Sequence, residues 1–263
     1  MATEENIRSM EAAMSYRVRS ATIGENLSKA LAHGDVALHE DGTWEVLVNP
    51  FATVNWRFGG RPPPFPCGKL IGFLFRHAYG HGAVPLGCRT CYKVQIKPRT
   101  LRELSATLPI LESVPHASKA GTGLGAQYHS GVYSALFYLN GLEEARSVYK
   151  VVRDAVDRTP KLGPDVPVAI KRGCTEYEVH CGPSDRFSFD QKLEPVEAFL
   201  LSRLRPLNAA SITPKPHQAV FMRWIQVAYQ VGDDTYRDFT DGRRLYPATV
   251  AYDPNSGAAL SQD

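Results

Sequence analysis

The sequence has no long hydrophobic run. Its most apolar stretch, Leu70-Ile71-Gly72-Phe73-Leu74-Phe75, falls far short of the roughly 20 residues a bilayer-spanning helix needs, so no membrane association is expected. Met1 to Asn6 lack the basic start and apolar continuation of a secretory signal, which points to the reducing cytoplasm. Charge of one sign is also scarce. A net charge of +3 is mildly basic and does not amount to the basic stripe of a dedicated nucleic-acid binder. Internal repeats and low-complexity tracts are absent.

Several catalytic signatures are missing as well. Gly121-Thr122-Gly123-Leu124-Gly125 lacks the G-x-G-x-x-G spacing of a dinucleotide fold and the Lys-Ser/Thr ending of a P-loop. It reads as a flexible loop or a mobile lid, with Lys119, Tyr128 and His129 nearby. No Gly-x-Ser-x-Gly elbow is present. His77 and His81 sit four apart, but Ala78 stands where a zincin has its glutamate, so metalloprotease chemistry is not indicated. The radical-SAM spacing C-x-x-x-C-x-x-C is absent.

What the chain does have is five cysteines, Cys67, Cys88, Cys91, Cys174 and Cys181, in 263 residues. The odd number and the reducing compartment argue against a disulfide framework and for metal binding or chemistry. Cys88-Arg89-Thr90-Cys91 is a C-x-x-C pair, which lets two sulfurs converge on one centre. Cys67 follows Pro66 at a helix start, where the helix dipole favours a thiolate. Cys181 precedes Gly182-Pro183. The alternative is that the cysteines are small buried hydrophobes.

Secondary-structure signals give an α/β (α+β) reading. Residues 4–33 read as helical and 43–48 as a strand. Residues 56–66 read as an irregular Pro-rich linker, and Cys67–Tyr79 as an apolar helix. Strands follow at 92–97, 132–139 and 166–171, and residues 175–180 return after a reversal at Gly173. Helices are expected from Thr100, from Asn140, over 193–204 and over 217–230, where Val220, Phe221, Trp224, Ile225 and Tyr229 form an apolar face. The expected architecture is a ferredoxin-like βαβαβ central layer with an N-terminal helical segment and C-terminal helices. It divides into residues 1–66, a cysteine-bearing core at 67–192, and a C-terminal helical region at 193–263.

Strand geometry selects the fourth ligand. If strands 92–97 and 166–171 run parallel, Cys91 and Cys174 lie at opposite ends, roughly 20 Å apart at about 3.3 Å per residue. Residues 175–180, returning along the sheet, then bring Cys181 back. The expected metal ligands are therefore Cys67, Cys88, Cys91 and Cys181, with Cys174 left over. Scattered cysteine ligands favour a [4Fe–4S] cluster, with zinc as the alternative. The first reading is an iron–sulfur protein with a redox or cluster-dependent catalytic role and a small-molecule substrate or an electron-transfer partner. The second is a zinc-stabilised binding module. Its basic-aromatic surface (Trp56, Arg57, Phe58, Arg61, Phe65, Lys69, Arg76 and Arg89) would meet nucleic acid or a protein partner.

Overall fold

The computed structural model describes residues 4–47, 55–124, 128–129, 131–206, 217–247 and 250–260. Gly125, Val48 and most of the 206–216 loop lie outside them. The N-terminal segment is two helices, not one. Helix α1 (Glu4–Ser15) is followed by a short ladder of β1 (Arg17–Val18) and β2 (Ala21–Thr22), and then by α2 (Ile23–His33). The restart is coded at Thr22. Its hydroxyl accepts from the Glu25 amide while the Glu25 carboxylate accepts from the Thr22 amide, a reciprocal capping box. A hairpin of β3 (Val36–Leu38) and β4 (Trp44–Val46) comes next.

The stretch read as a linker begins with a strand, β5 (Trp56–Phe58). Helix α3 (Cys67–Lys69) then runs into a π-helical segment, Leu70–Ala78, in which Leu70 through Phe75 are all buried. The core of the molecule follows: β6 (Cys91–Ile96), α4 (Leu101–Ala106), α5 (Leu108–Ser113), β7 (Ser118–Thr122), β8 (Tyr133–Asn140), α6 (Leu142–Arg158) and β9 (Val168–Arg172). Strands β5 to β9 form a five-stranded sheet in the order β5-β7-β8-β6-β9, with every neighbouring pair antiparallel. The chain is thus of the α+β class.

Strand β7 was not anticipated, and it changes the geometry of everything after it. An extra strand between two helical connections reverses the direction of the next strands. The pair expected to be parallel, β6 and β9, is antiparallel, with Tyr92 opposite Arg172. The segment expected to return as a strand is a helix, α7 (Thr175–Cys181). Helices α8 (Leu193–Ser202) and α9 (His217–Gln230) follow.

Alternation along the strands divides the sheet into two faces. Val94, Ile96, Ala120, Ala135, Phe137 and Leu139 pack with α4, α5, α6 and α9 in one core, where Trp224 is fully buried. Burial of one such side chain contributes about 3 kcal/mol. Lys93, Gln95, Lys119, Leu136 and Lys171 lie on the opposite face and line a cleft. A second core gathers residues of α1, α2, the π-helical segment, α7 and α8 around Phe73, Phe75 and Tyr177. Cys88 and Cys91 lie in this second core, at the end of the sheet where β6 begins.

A thiol cluster beside a cationic cleft

The antiparallel pairing of β6 and β9 sets the position of the cysteines. The start of β6 lies beside the end of β9, and the Gly173 amide donates to the Cys91 carbonyl at 2.8 Å. Cys174 follows immediately, so it stands at the same end of the sheet as Cys91. Cys67 opens α3, and Cys88 ends the short turn Leu86–Cys88. Burial raises the Cys67, Cys88 and Cys91 thiols, the last to about 12. The charges of Cys174 and, for Cys88 and Cys91, of further cysteines in the set add to the rise. Cys67, Cys88, Cys91 and Cys174 are thus electrostatic neighbours. At Cys67 burial outweighs any help from the helix start.

Cys181 stands apart. Helix α7 carries it one helix length from Cys174, about 10 Å at 1.5 Å per residue. Its Sγ donates to the His81 carbonyl at 3.6 Å, and the charge it senses is that of Arg19. The argument for Cys181 as fourth ligand required a parallel β6/β9 pair and a returning strand, and neither exists. All five cysteines are free thiols. Among the described residues, no three cysteine, histidine or carboxylate side chains converge closely enough to hold a metal ion as they stand.

The turn into the C-x-x-C pair is pinned from α8. Buried Glu197 accepts hydrogen bonds from the Tyr79 hydroxyl at 2.9 Å, the Leu86 amide at 2.6 Å and the Gly87 amide at 3.3 Å. A Cβ on Gly87 would lie 2.8 Å from Leu70 Cδ2, so a side chain there would displace that buried leucine. Cys88 Sγ is 3.2 Å from the Tyr177 hydroxyl.

Two lysines face the thiols. Lys93 is 5% exposed, and its Nζ donates to the Gly173 carbonyl at 2.7 Å and to Cys174 Sγ at 2.9 Å. Burial opposes its ammonium, but interaction with Cys174 and then Cys91, where those sulfurs are ionised as thiolates, outweighs burial and raises it. Lys119 Nζ lies over the Trp56 ring, 4.1 Å from its centroid. Burial and then the charge of Lys93 pull Lys119 down to about 8, against the opposing pull of Cys174 and Cys67. Among the described residues, neither lysine has a carboxylate partner.

Both lysines line a cleft of about 390 Å³ on the open sheet face. Lys97, Lys171 and Arg172 join them there, and Glu178, an ion-pair partner of Lys171, is the lone carboxylate among the described lining residues. Trp56, Tyr128 and His129 add aromatic walls. The glycine-rich stretch is explained by these rings. A Cβ on Gly121 would lie 2.1 Å from the Asn55 carbonyl oxygen and 2.9 Å from the Trp56 ring, and one on Gly123 would lie 1.9 Å from His129 Nδ1. His129 Nδ1 is 3.0 Å from the Gly131 carbonyl, so Nδ1 carries the proton, and Nε2 is buried without a partner among the described residues. Tyr128 is tied to His180 by a 3.0 Å hydrogen bond between its hydroxyl and Nε2.

The remaining sequence candidates have other roles. His77 and His81 do not share a helix face, because helical structure ends at Ala78 and His81 has φ 64°. His81 instead packs on His180, with ring centroids 4.4 Å apart. Of the expected basic-aromatic surface, Arg57 pairs with Glu112, and Arg76 grips Glu176 through two bonds at 2.6 and 2.8 Å. Arg61 donates to the Pro115 carbonyl, and Phe65 is buried. The cations concentrate instead in the cleft. Its signal was present in the alternation of β6, where Lys93, Gln95 and Lys97 occupy one face and Val94 and Ile96 the other.

No protein-family model matches the chain, and neither does any curated protein or solved structure. No helix among the described residues is long and apolar enough to cross a membrane.

Proposed function

We propose that this chain is a single-stranded nucleic-acid-binding protein. Its ligand lies along the open face of the sheet, and a zinc ion held by Cys67, Cys88, Cys91 and Cys174 braces one end of the cleft. The observation that carries the reading is the cleft itself, where Lys93, Lys97, Lys119, Lys171 and Arg172 meet one carboxylate, with Trp56 and Tyr128 beside them. A phosphodiester backbone supplies the missing negative charge, and aromatic rings offer faces for unstacked bases.

The fold reading agrees with this. The run β6–α4/α5–β7–β8–α6–β9, with strand order β7-β8-β6-β9 and the helical crossovers in one core, supports a ferredoxin-like unit extended at its edge by β5. Small RNA-recognition sheets of this kind use the face opposite the helices.

Zinc is supported by the two lysines. A buried ammonium needs an anion, and Lys93 has only sulfur and a carbonyl as hydrogen-bond partners. Four thiolates on Zn²⁺ carry a net negative charge that these lysines offset, and such a closed four-sulfur site is structural rather than catalytic. The four sulfurs must draw together on binding, since among the described residues they do not form a ligand set as they stand. A thiol centre of this kind belongs in a reducing compartment, the cytoplasm.

The test measures metal content and oligonucleotide binding on protein purified without oxygen. One zinc per chain is expected, retained by Cys181→Ala and lost by Cys174→Ala. Iron and sulfide in place of zinc would assign the centre to the iron–sulfur reading with an electron-transfer partner. Salt-dependent binding of single-stranded oligonucleotides is expected, and its absence overturns the proposal.

A further inference from the structure

Resting on the nucleic-acid reading above, we propose that Lys119 captures abasic nucleotides, its amine forming an imine with the aldehyde of a sugar that has lost its base. A lysine serves as such a nucleophile where an apolar surround or a neighbouring cation makes its ammonium give up a proton. Lys119 has both neighbours, and it opens on the cleft.

The lysine is singled out by its surroundings. It lies in β7, opposite Phe58 of β5 on one side and Leu136 of β8 on the other. The paired strands fix its backbone, and its side chain lines the cleft on the open sheet face. Its Nζ is 4.1 Å from the centroid of the Trp56 ring and 5.9 Å from that of Tyr138. Lys93 Nζ is 5.6 Å from the same Tyr138 centroid, so the two amines share that ring as a neighbour.

Only one of the two has acceptors. Lys93 donates to a carbonyl and a sulfur. Among the described residues Lys119 has no hydrogen-bond or ion-pair partner. A second ammonium beside the first, against aromatic rings and with no anion of its own, is the one that yields its proton. Burial and then the charge of Lys93 draw it down to about 8, against the pull of Cys174 and Cys67. Free amine is therefore present near neutral pH.

The ligand follows from the chemistry of a strand. The carbonyls of intact bases are conjugated amides and do not form imines. Loss of a base leaves a ring-opened sugar whose C1′ is a free aldehyde between two phosphates. Lys97 and Arg172 line the same cleft and supply charge for those phosphates.

In the step, the Nζ lone pair forms a bond to C1′ as the carbonyl pair moves onto its oxygen, which takes a proton from the nitrogen. That oxygen leaves as water and a carbon–nitrogen double bond forms. Nothing is oxidised or reduced, the phosphodiester bonds stay intact, and hydrolysis reverses the step.

The test incubates the full chain, with its metal content measured, with a single-stranded oligonucleotide carrying one abasic site, the matching intact strand, or glyceraldehyde 3-phosphate. Strand binding is read by fluorescence anisotropy. Sodium cyanoborohydride is then added to reduce any imine to a permanent bond. An adduct with the abasic strand and none with the intact strand is expected, mapped to Lys119 by peptide mass spectrometry. Lys119→Arg keeps the charge and removes the nucleophile, so at saturating strand it should lose the adduct. An abasic strand that is bound but not trapped, an adduct on other lysines, or undiminished trapping by Lys119→Arg overturns the inference and leaves the binding reading standing. An adduct at Lys119 with glyceraldehyde 3-phosphate but none with the abasic strand also overturns it and assigns the lysine to a free phosphorylated aldehyde. Failure to bind any strand overturns both.

Discussion

Replacing Lys93 by methionine separates a thiolate centre from four ordinary cysteines by the sign of its effect. The ammonium is 5% exposed and donates to Cys174 Sγ at 2.9 Å and to the Gly173 carbonyl at 2.7 Å. Methionine keeps most of the volume and removes the charge. If the sulfurs are neutral thiols, the wild-type ammonium is an unpaired buried ion, whose effective penalty is several kcal/mol. The substitution then stabilises the protein. If the sulfurs form a zinc–thiolate centre, the substitution deletes the counter-charge and leaves buried negative charge behind, a loss of about 3–5 kcal/mol. Urea unfolding of wild type and Lys93→Met, at one buffered free zinc concentration and again with chelator, gives the comparison. Destabilisation by about 3 kcal/mol or more is expected with zinc, shrinking or reversing without it. Stabilisation by methionine in both conditions would refute the centre. For the thiolate centre, the raised Lys93 ammonium contributes fully below the ordinary lysine range and loses that contribution only as pH rises through the still higher folded value, so neutral pH reads the whole effect in the zinc arm.

Four further outcomes are expected. Glu197→Ala should cost about 3–5 kcal/mol, because three donors lose a buried charged acceptor; a shift in urea midpoint worth less than about 1 kcal/mol would mean that Glu197 does not hold the turn into Cys88. Burial raises the Glu197 carboxyl despite those bonds, so wild-type stability should fall as pH rises from the ordinary glutamate range through the folded value, whereas Glu197→Gln should lack that slope. The double variant Lys97→Ala/Lys171→Ala should flatten the dependence of log affinity on log salt by about 1.4 for a single strand, measured by fluorescence anisotropy; an unchanged slope places the phosphates elsewhere. In metal-free protein, Lys119, drawn down to about 8 by burial and the charge of Lys93, should be acylated ahead of other lysines at pH 8, as read by peptide mass spectrometry; equal labelling of all lysines would refute that lowering.

Long amphipathic segments were legible in the sequence because their periodicity and their burial agree. Helix α9 buries Val220, Trp224 and Ile225, as its apolar face requires, and α6 buries Ala145, Val148, Val152 and Val156. Strands β6 and β8 were legible for the same reason. The polar half of the β6 pattern already contained Lys93 and Lys97 of the cleft, whereas the arginines of the 56–66 segment and its neighbourhood drew attention and turned out to be partly engaged in ion pairs. Helix α7 was not legible. Thr175-Glu-Tyr-Glu-Val-His-Cys181 alternates like a strand. Its helical state comes from tertiary partners: Arg76 grips Glu176, and Tyr177 packs edge-on against Phe75 at 4.6 Å.

The most consequential miss was five residues long. Ser118-Lys-Ala-Gly-Thr122 has little intrinsic strand preference, since alanine and glycine are depleted in sheets. It is a strand because β8 and β5 flank it, and because Gly121 is what lets the Asn55 backbone and Trp56 ring approach. Neither neighbour is close in sequence to the glycine that admits it. Leaving out one strand changes the parity of every later one, so an error of five residues exchanged the two ends of β9. That exchange chose Cys181 over Cys174. Strand parity therefore controls any ligand set assembled from different strands. Cys174 and Cys181 differ little in their immediate sequence, but α7 puts about 10 Å between them, and a tetrahedral zinc site with Zn–S distances of about 2.3 Å cannot bridge that gap. Metal retention in Cys181→Ala and loss in Cys174→Ala consequently tests the topology of the sheet as directly as it tests the centre.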